Sequence, residues 1–189
     1  KSVWTFIRER DYPGLLAEIL AEIPDTAPLR LAKVHSAKDG ELVLDTLYFG
    51  ESPRFDPTDA ALAEKRAQVL EVATAQGIAD TVELEKLAMH FESCSFEYLR
   101  AVGPKRIFAH YAQCRRVAHS DDTLVGVVAE GYGERGLLRI EVASGGARPQ
   151  QLFQRLCTYL GQRRHDIRRA YLDVFESEGV EPVSIVGIV

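Results

Sequence analysis

Two stretches of this chain, 137 residues apart, carry the same pattern of apolar positions. Leu15, Leu16, Ile19, Leu20 and Ile23 recur at i, i+1, i+4, i+5 and i+8, and Leu152, Phe153, Leu156, Cys157 and Leu160 repeat that spacing. Such spacing draws one apolar stripe along a helix of 3.6 residues per turn. The flanking segments repeat as well. Residues 3–8 are rich in strand formers, and residues 29–37 and 42–49 follow the first helix around Lys38-Asp39-Gly40-Glu41. Asp-Gly between two such runs is a hairpin signal, because a tight turn there needs positive φ. The second stripe is preceded by strand character at 123–129 and 137–142. It is followed by strand character at 167–175 and 182–189, with Glu178-Gly179 in the turn. The first stretch therefore reads β-α-β-β-α, its last helix over residues 57–76, and the second reads β-α-β-β with no second helix. A unit this small exposes a sheet edge, so two copies are expected to pack on one another.

The remaining segments are mostly helical. Asp11-Tyr12-Pro13-Gly14 opens the first helix, where a proline in the first turn loses no needed hydrogen bond, and Pro24 ends it. Residues 57–76 read as a second helix with Leu62, Val69, Leu70 and Ala73 on one side. Residues 81–93, 96–102 and 104–119 read helical, with a break at Gly103-Pro104, and Pro149 opens the repeated helix after Gly145-Gly146. The expected organisation is a first module over 1–78, a helical insert over 79–121 and a truncated second module over 122–189. The expected class is α+β, with antiparallel sheets and helices on one face.

Composition narrows the partners. Hydrophobic residues at 46% and charged residues at 27% are the balance of a globular domain rather than a disordered tail. No apolar run approaches a bilayer span, and residues 1–10 lack the apolar core of a signal peptide. A net charge of -5 with interspersed signs argues against nucleic acid or a membrane surface as the partner. The basic cluster Arg163-Arg164-His165 with Arg168-Arg169 reads as a helix end followed by a charged strand edge, with a binding surface for an acidic partner as the alternative. Cys94, Cys114 and Cys157 form no disulfide framework, so a cytoplasmic location is expected. A start at Lys1 rather than methionine is expected of a segment cut from a longer polypeptide.

Few residues point to chemistry. Gly131-Tyr132-Gly133-Glu134-Arg135-Gly136 is a literal G-x-G-x-x-G, but a dinucleotide site needs its third glycine to open a helix, and a strand follows here. A hairpin turn is the expected role. His90 with Cys94 and His110 with Cys114 share the four-residue spacing of one helical face, yet no Cys-x-x-Cys knuckle accompanies them, and no metal is expected. No Gly-x-Ser-x-Gly elbow is present. Tyr171, Asp173 and Phe175 alternate with Leu172 and Val174 as strand pleating does. Nothing in the residues demands an enzyme. The loop Asp11-Tyr12-Pro13-Gly14 remains as the candidate ligand site. Backbone N–H groups at the helix start favour a carboxylate, and Gly14 permits close approach. Asp11 is suited either to an N-cap or turn or to accepting from a ligand α-amino group.

Asp11-Tyr12-Pro13-Gly14-Leu15-Leu16, with Ala32-Lys33-Val34-His35-Ser36-Ala37-Lys38-Asp39-Gly40 and Leu44-Asp45-Thr46-Leu47, resembles the ACT domain over about the first 50 positions. That resemblance implies a ferredoxin-like βαββ regulatory fold, commonly paired, that binds amino acids or similar metabolites and controls an attached enzyme. It implies ligand-binding roles for Asp11, Tyr12, Gly14 and Leu15, no catalytic residues, and no cofactor in this segment. The residues from Phe96 to His110 and from Ile167 to Phe175 are similar to the ACT-containing N-terminal region of the large NAD-specific glutamate dehydrogenases. Catalysis would then lie elsewhere on the parent chain, and the partners would be an amino-acid effector, the rest of that enzyme and other copies of the chain. The second module has Ser144-Gly145-Gly146-Ala147-Arg148-Pro149 where an ACT unit would show D-x-P-G, so the resemblance implies one ligand loop. The sensor region of a bacterial uridylyltransferase of nitrogen regulation is the alternative parent, although its helical segment precedes both ACT units. A purely structural oligomerisation module is the alternative role.

Overall fold

The computed structural model describes residues 2–24, 27, 29–36, 41–50, 55–118, 123–130, 137–145, 149–165, 167, 169–177 and 180–188. In chain order the elements are β1 (Ser2–Arg8), α1 (Leu15–Ala21), β2 (Leu29–Ser36), β3 (Val43–Phe49), α2 (Ala60–Ala75), α3 (Thr81–Ser93), α4 (Phe96–Ala101), α5 (Pro104–Val117), β4 (Thr123–Glu130), β5 (Leu137–Gly145), α6 (Pro149–Gln162), β6 (Arg169–Ser177) and β7 (Val180–Ile188). Boundaries follow local chemistry. The helix expected from residue 57 begins at Ala60, because the Asp59 carboxylate accepts from the backbone N–H groups of Ala61 and Leu62. Asp80 and Ser95 cap α3 and α4 in the same way.

The strands form one sheet in the order β1-β3-β2-β6-β7-β5-β4. All its pairs are antiparallel. The repeat is visible in that order: β1-β3-β2 on one side is mirrored by β5-β7-β6 on the other. The two units meet edge to edge, β2 against β6, with Ala32 opposite Leu172 and Val34 opposite Ala170. Each thereby covers the edge that the other would expose. β4 pairs with the outer side of β5.

Pleating sends alternate residues to two cores. On one face, both apolar stripes pack onto the sheet: Leu16, Leu20, Phe153 and Cys157 lie against Ala32, Leu47, Leu172 and Val186. On the other face, Phe91, Leu99, Ile107 and Val117 of the helical layer lie against Ala143, Phe175, Val183 and Ile185. The expectation of helices on one face is therefore corrected, since α2 through α5 build a second layer. The physical reason is that β5, β6 and β7 carry apolar residues on both faces, and each face must be covered. α2, which the sequence placed with the first unit, buries Leu62, Val69 and Ala73 in this second layer instead. The same face of β1 and β3 leaves Val3, Ile7 and Leu44 exposed. Among the described residues, no helix is long and apolar enough to cross a membrane.

One glycine sets the sheet's fit to the helical layer. Gly187 of β7 lies opposite Tyr171 of β6, and the Tyr171 ring occupies the space that a side chain at 187 would fill. Gly187→Ala should therefore destabilise the fold by about 1–3 kcal/mol through overpacking. Urea unfolding measures this, and an unchanged midpoint would contradict the packing described.

Candidate functional site

The four residues expected at a ligand site come together. Asp11, Tyr12, Gly14 and Leu15 line a small enclosed cavity beneath the start of α1, joined there by Asp45, Cys157 and His165. Gly14 is the N-cap residue, with φ 106°, a left-handed conformation that glycine adopts without a Cβ penalty. No side chain caps the helix, so Asp11 does not play the N-cap role considered for it. The Leu15 N–H donates to the Tyr12 carbonyl at 3.1 Å, and Tyr12 turns its ring outward, its hydroxyl donating to Glu18 at 2.5 Å. The cavity's floor comes from β3, whose inward positions run Val43, Asp45, Leu47 and Phe49. Its wall comes from α6, in the other repeat. There Gly161 packs so closely on the loop that a Cβ at 161 would sit 2.8 Å from the Gly14 Cα.

Asp45 is the unusual member. It is 1% exposed, and among the described residues neither of its carboxylate oxygens has a partner in good hydrogen-bond geometry. Asp11 likewise buries one oxygen, Oδ2, without a partner among the described residues. Burial first, then the negative charge of Asp11, push the Asp45 carboxyl up to about 7, with the His35 backbone opposing the shift. Burial and Asp45 together raise the Cys157 thiol. A carboxylate desolvated in this way is stabilised by any cation or ammonium that supplies charge and donors. The closed space is about 10 Å³, room for roughly one water.

A second polar cluster lies on the opposite face, between α4, α5, β5 and β6. His110 is fully buried; its Nδ1 meets the Tyr98 hydroxyl at 2.7 Å. Its Nε2 lies 3.4 Å from Glu141 Oε1. The same oxygen accepts from the Tyr171 hydroxyl at 3.1 Å and from Arg139 at 3.3 Å, with Arg106 at 3.8 Å. Burial acts to raise the Glu141 carboxyl, but His110, Tyr171 and Arg139 together overcome it and hold the group at about 2. Nearby, Asp173 accepts from the Ser95 hydroxyl at 3.1 Å and the Val174 N–H at 2.8 Å, yet its burial pushes it up to about 7. His90 stacks on Phe175 at 4.9 Å, and burial together with His110 lowers it to about 4.

The paired histidines and cysteines are occupied in packing. The Cys94 thiol donates to the His90 carbonyl at 3.2 Å, and burial raises both the Cys94 and Cys114 thiols. Among the described residues, no three His, Cys, Asp or Glu side chains are grouped to hold a metal ion. The G-x-G-x-x-G run at 131–136 lies outside the described residues; β4 and β5 on either side of it pair antiparallel, Glu130 opposite Leu137, and no helix follows. At the end of α6 the Arg163 guanidinium covers the Tyr159 ring at 3.6 Å, and Arg164 takes a positive φ of 58°.

Sequence reasoning missed Asp45, Glu141 and the inward roles of Tyr171 and Asp173. A signal existed for the first: Asp45 interrupts an otherwise apolar inward row. None existed for Glu141, because a charged residue at an alternate strand position reads as solvent-facing unless both faces are known to be covered. Comparison with protein families, with curated proteins and with solved structures finds no match for this chain.

Proposed function

We propose that this chain is a non-catalytic regulatory segment of a larger amino-acid-metabolism enzyme, with two ACT-like modules, and that it senses an amino acid at the Asp11–Asp45 cavity. The observation that carries this reading is the buried Asp45 carboxylate beside Asp11, which among the described residues has no partner in good hydrogen-bond geometry. Holding such a group costs stability, and a ligand ammonium offsets that cost. The cavity lies between the repeats, since its loop precedes α1 and its wall is α6. Ligand entry must then separate Gly14 from Gly161, which ties occupancy to the arrangement of the two halves. Regulation follows if the ligand binds the separated state more tightly than the closed one. The parent proposed is a large NAD-dependent glutamate dehydrogenase, which the gene's full reading frame would test.

Thermal or urea denaturation against a panel of the common amino acids tests the site. A responding amino acid at about ten times its Kd should stabilise the chain by about 1.4 kcal/mol. Asp45→Asn should abolish that response while leaving the unliganded chain more stable at pH 8. If the variant responds as the parent does, the site is wrongly placed. A second reading, a module for assembly alone, is favoured by the exposed Val3, Ile7 and Leu44 on the uncovered sheet face. A flat response across the panel, together with self-association of the chain, would select it.

A further inference from the structure

We propose that the outer face of the α1–α6 layer docks a second copy of this chain across a twofold axis running along the helices. The two helices lie side by side and antiparallel. Gly14 at the start of α1 packs on Gly161 at the end of α6. At the other end, the Gln150 side chain of α6 donates to the Ile23 carbonyl at 2.9 Å. The buried stripes of both helices face the sheet, so their opposite stripes face outward. On α1 that outer stripe is Glu18, Ala21 and Glu22; on α6 it is Arg155, Tyr159, Gln162 and Arg163, continued by Arg164. All of these residues are exposed.

The stripes are opposite in sign. From Leu15 to Glu22 there are two carboxylates and no cation, and from Pro149 to Arg164 three arginines and no carboxylate. Among the described residues, none of these five charges is in an ion pair. Glu18 accepts from the neutral Tyr12 hydroxyl, and Arg163 lies over the Tyr159 ring at 3.6 Å. A negative strip therefore runs beside a positive one. A twofold axis between and along the helices sets α1 of one copy over α6 of the other, at unchanged height. Gly14 is level with Gly161 and Ile23 with Gln150, so Glu18 and Glu22 bracket Arg155 in height. Each copy's two carboxylates then straddle the other copy's Arg155. Tyr12, half exposed, reaches the Arg163–Tyr159 stack of the other copy, and exposed tyrosines are frequent interface anchors. A twofold axis across the helices would oppose like charges instead, which repulsion disfavours. Exposed ion pairs contribute little each, so the dimer expected is reversible and salt-sensitive. It does not rest on the sensing role proposed for the Asp11–Asp45 cavity.

Sedimentation velocity of the 189-residue chain, from about 5 to about 200 µM, tests this at about 20 mM and about 500 mM sodium chloride. A monomer–dimer equilibrium is expected, about tenfold or more weaker at the higher salt. Glu18→Lys with Glu22→Lys makes both strips basic, and Arg155→Glu with Arg163→Glu makes both mostly acidic. Each double variant should stay monomeric where the parent is dimeric. An equimolar mixture of the two should recover a one-to-one dimer at low salt, because each strip again meets its opposite. All four positions are exposed, and thermal midpoints check that the variants fold. A parent chain that is monomeric throughout at low salt overturns the proposal, whatever the variants do. So does a dimer insensitive to salt, a double variant that dimerises alone, or a mixture of folded variants that stays monomeric. Species growing beyond the dimer would mean a head-to-tail contact, which also overturns it. Association that survives both charge swaps but is lost in Ile7→Lys would lie on the uncovered sheet face instead.

Discussion

Glu141→Ala should cost the fold about 3–5 kcal/mol, the loss expected when one partner of a buried charge cluster is removed. The carboxylate is 6% exposed, and a single oxygen of it meets Tyr171, His110 and Arg139 within 3.4 Å. These groups come from α5, β5 and β6, so the cluster joins the helical layer to the sheet. Truncation takes the Glu141 carboxylate from beside the Arg139 guanidinium, which is only 12% exposed. Glu141→Gln keeps an acceptor oxygen and loses the charge, and should fall between the parent and the alanine variant. Urea unfolding at pH 7 measures both. A loss below about 1 kcal/mol for the alanine variant would mean that the cluster is solvated and contributes as a surface ion pair does.

Acidification from pH 8 to about pH 5 should stabilise the chain by roughly 2–3 kcal/mol, against the usual expectation for an acidic protein. Asp45 and Asp173 are each raised to about 7 in the fold from an ordinary value of 3.8. The folded state therefore binds their protons more tightly than the unfolded state. The stability this contributes is fully present below 3.8 and is lost as pH rises through 7. His90 works in the other direction. Lowered from 6.5 to about 4, it contributes stability above 6.5 that is lost as pH falls toward 4. At pH 5 the two aspartates gain about 5 kcal/mol together, and His90 gives back about 2. Below the ordinary Glu value of 4.5 the gain reverses, because Glu141, held at about 2, loses its advantage as it protonates. Urea midpoints at pH 8, 6.5 and 5 test the sign. Asp45→Asn should remove about half of the aspartate gain, and a parent that weakens steadily below pH 8 would show that both carboxyls find partners in solution.

That pH response and the proposed ligand response share a cause. An unpartnered buried carboxylate is a local cost that a proton, an amide substitution or a bound ammonium each relieves. Stability and function then oppose one another at position 45, as they commonly do where a site is held ready for a ligand.

Much of the candidate site was legible in local sequence. Asp11, Tyr12, Gly14 and Leu15 were singled out from the loop alone, and they do line one cavity. Asp11 was assigned two roles, and the cap role fell away because Gly14 takes the N-cap position without any side-chain bond. The partners Asp45, Cys157 and His165 were not legible, because they arrive from β3 and from the far end of α6. Tyr171 and Asp173 were read correctly as strand pleating, but pleating does not say what lies above each face. Helices α4 and α5 supply that, by placing Tyr98, the α4 cap Ser95 and His110 over those positions.

By itself the amino-acid order determined the elements and their duplication. The i, i+1, i+4, i+5, i+8 stripes, the turn residues and the capping carboxylates act within a few residues of chain, where periodicity and local hydrogen bonding decide conformation. The tertiary structure alone decided that β2 meets β6, that α2 through α5 cover the second face of β5, β6 and β7, and that Asp45 and Glu141 are buried rather than solvated. Those outcomes rest on contacts between segments far apart in sequence, such as β2 with β6 or β5 with α5. There, burial of whole faces selects among pairings that local preferences leave equally open.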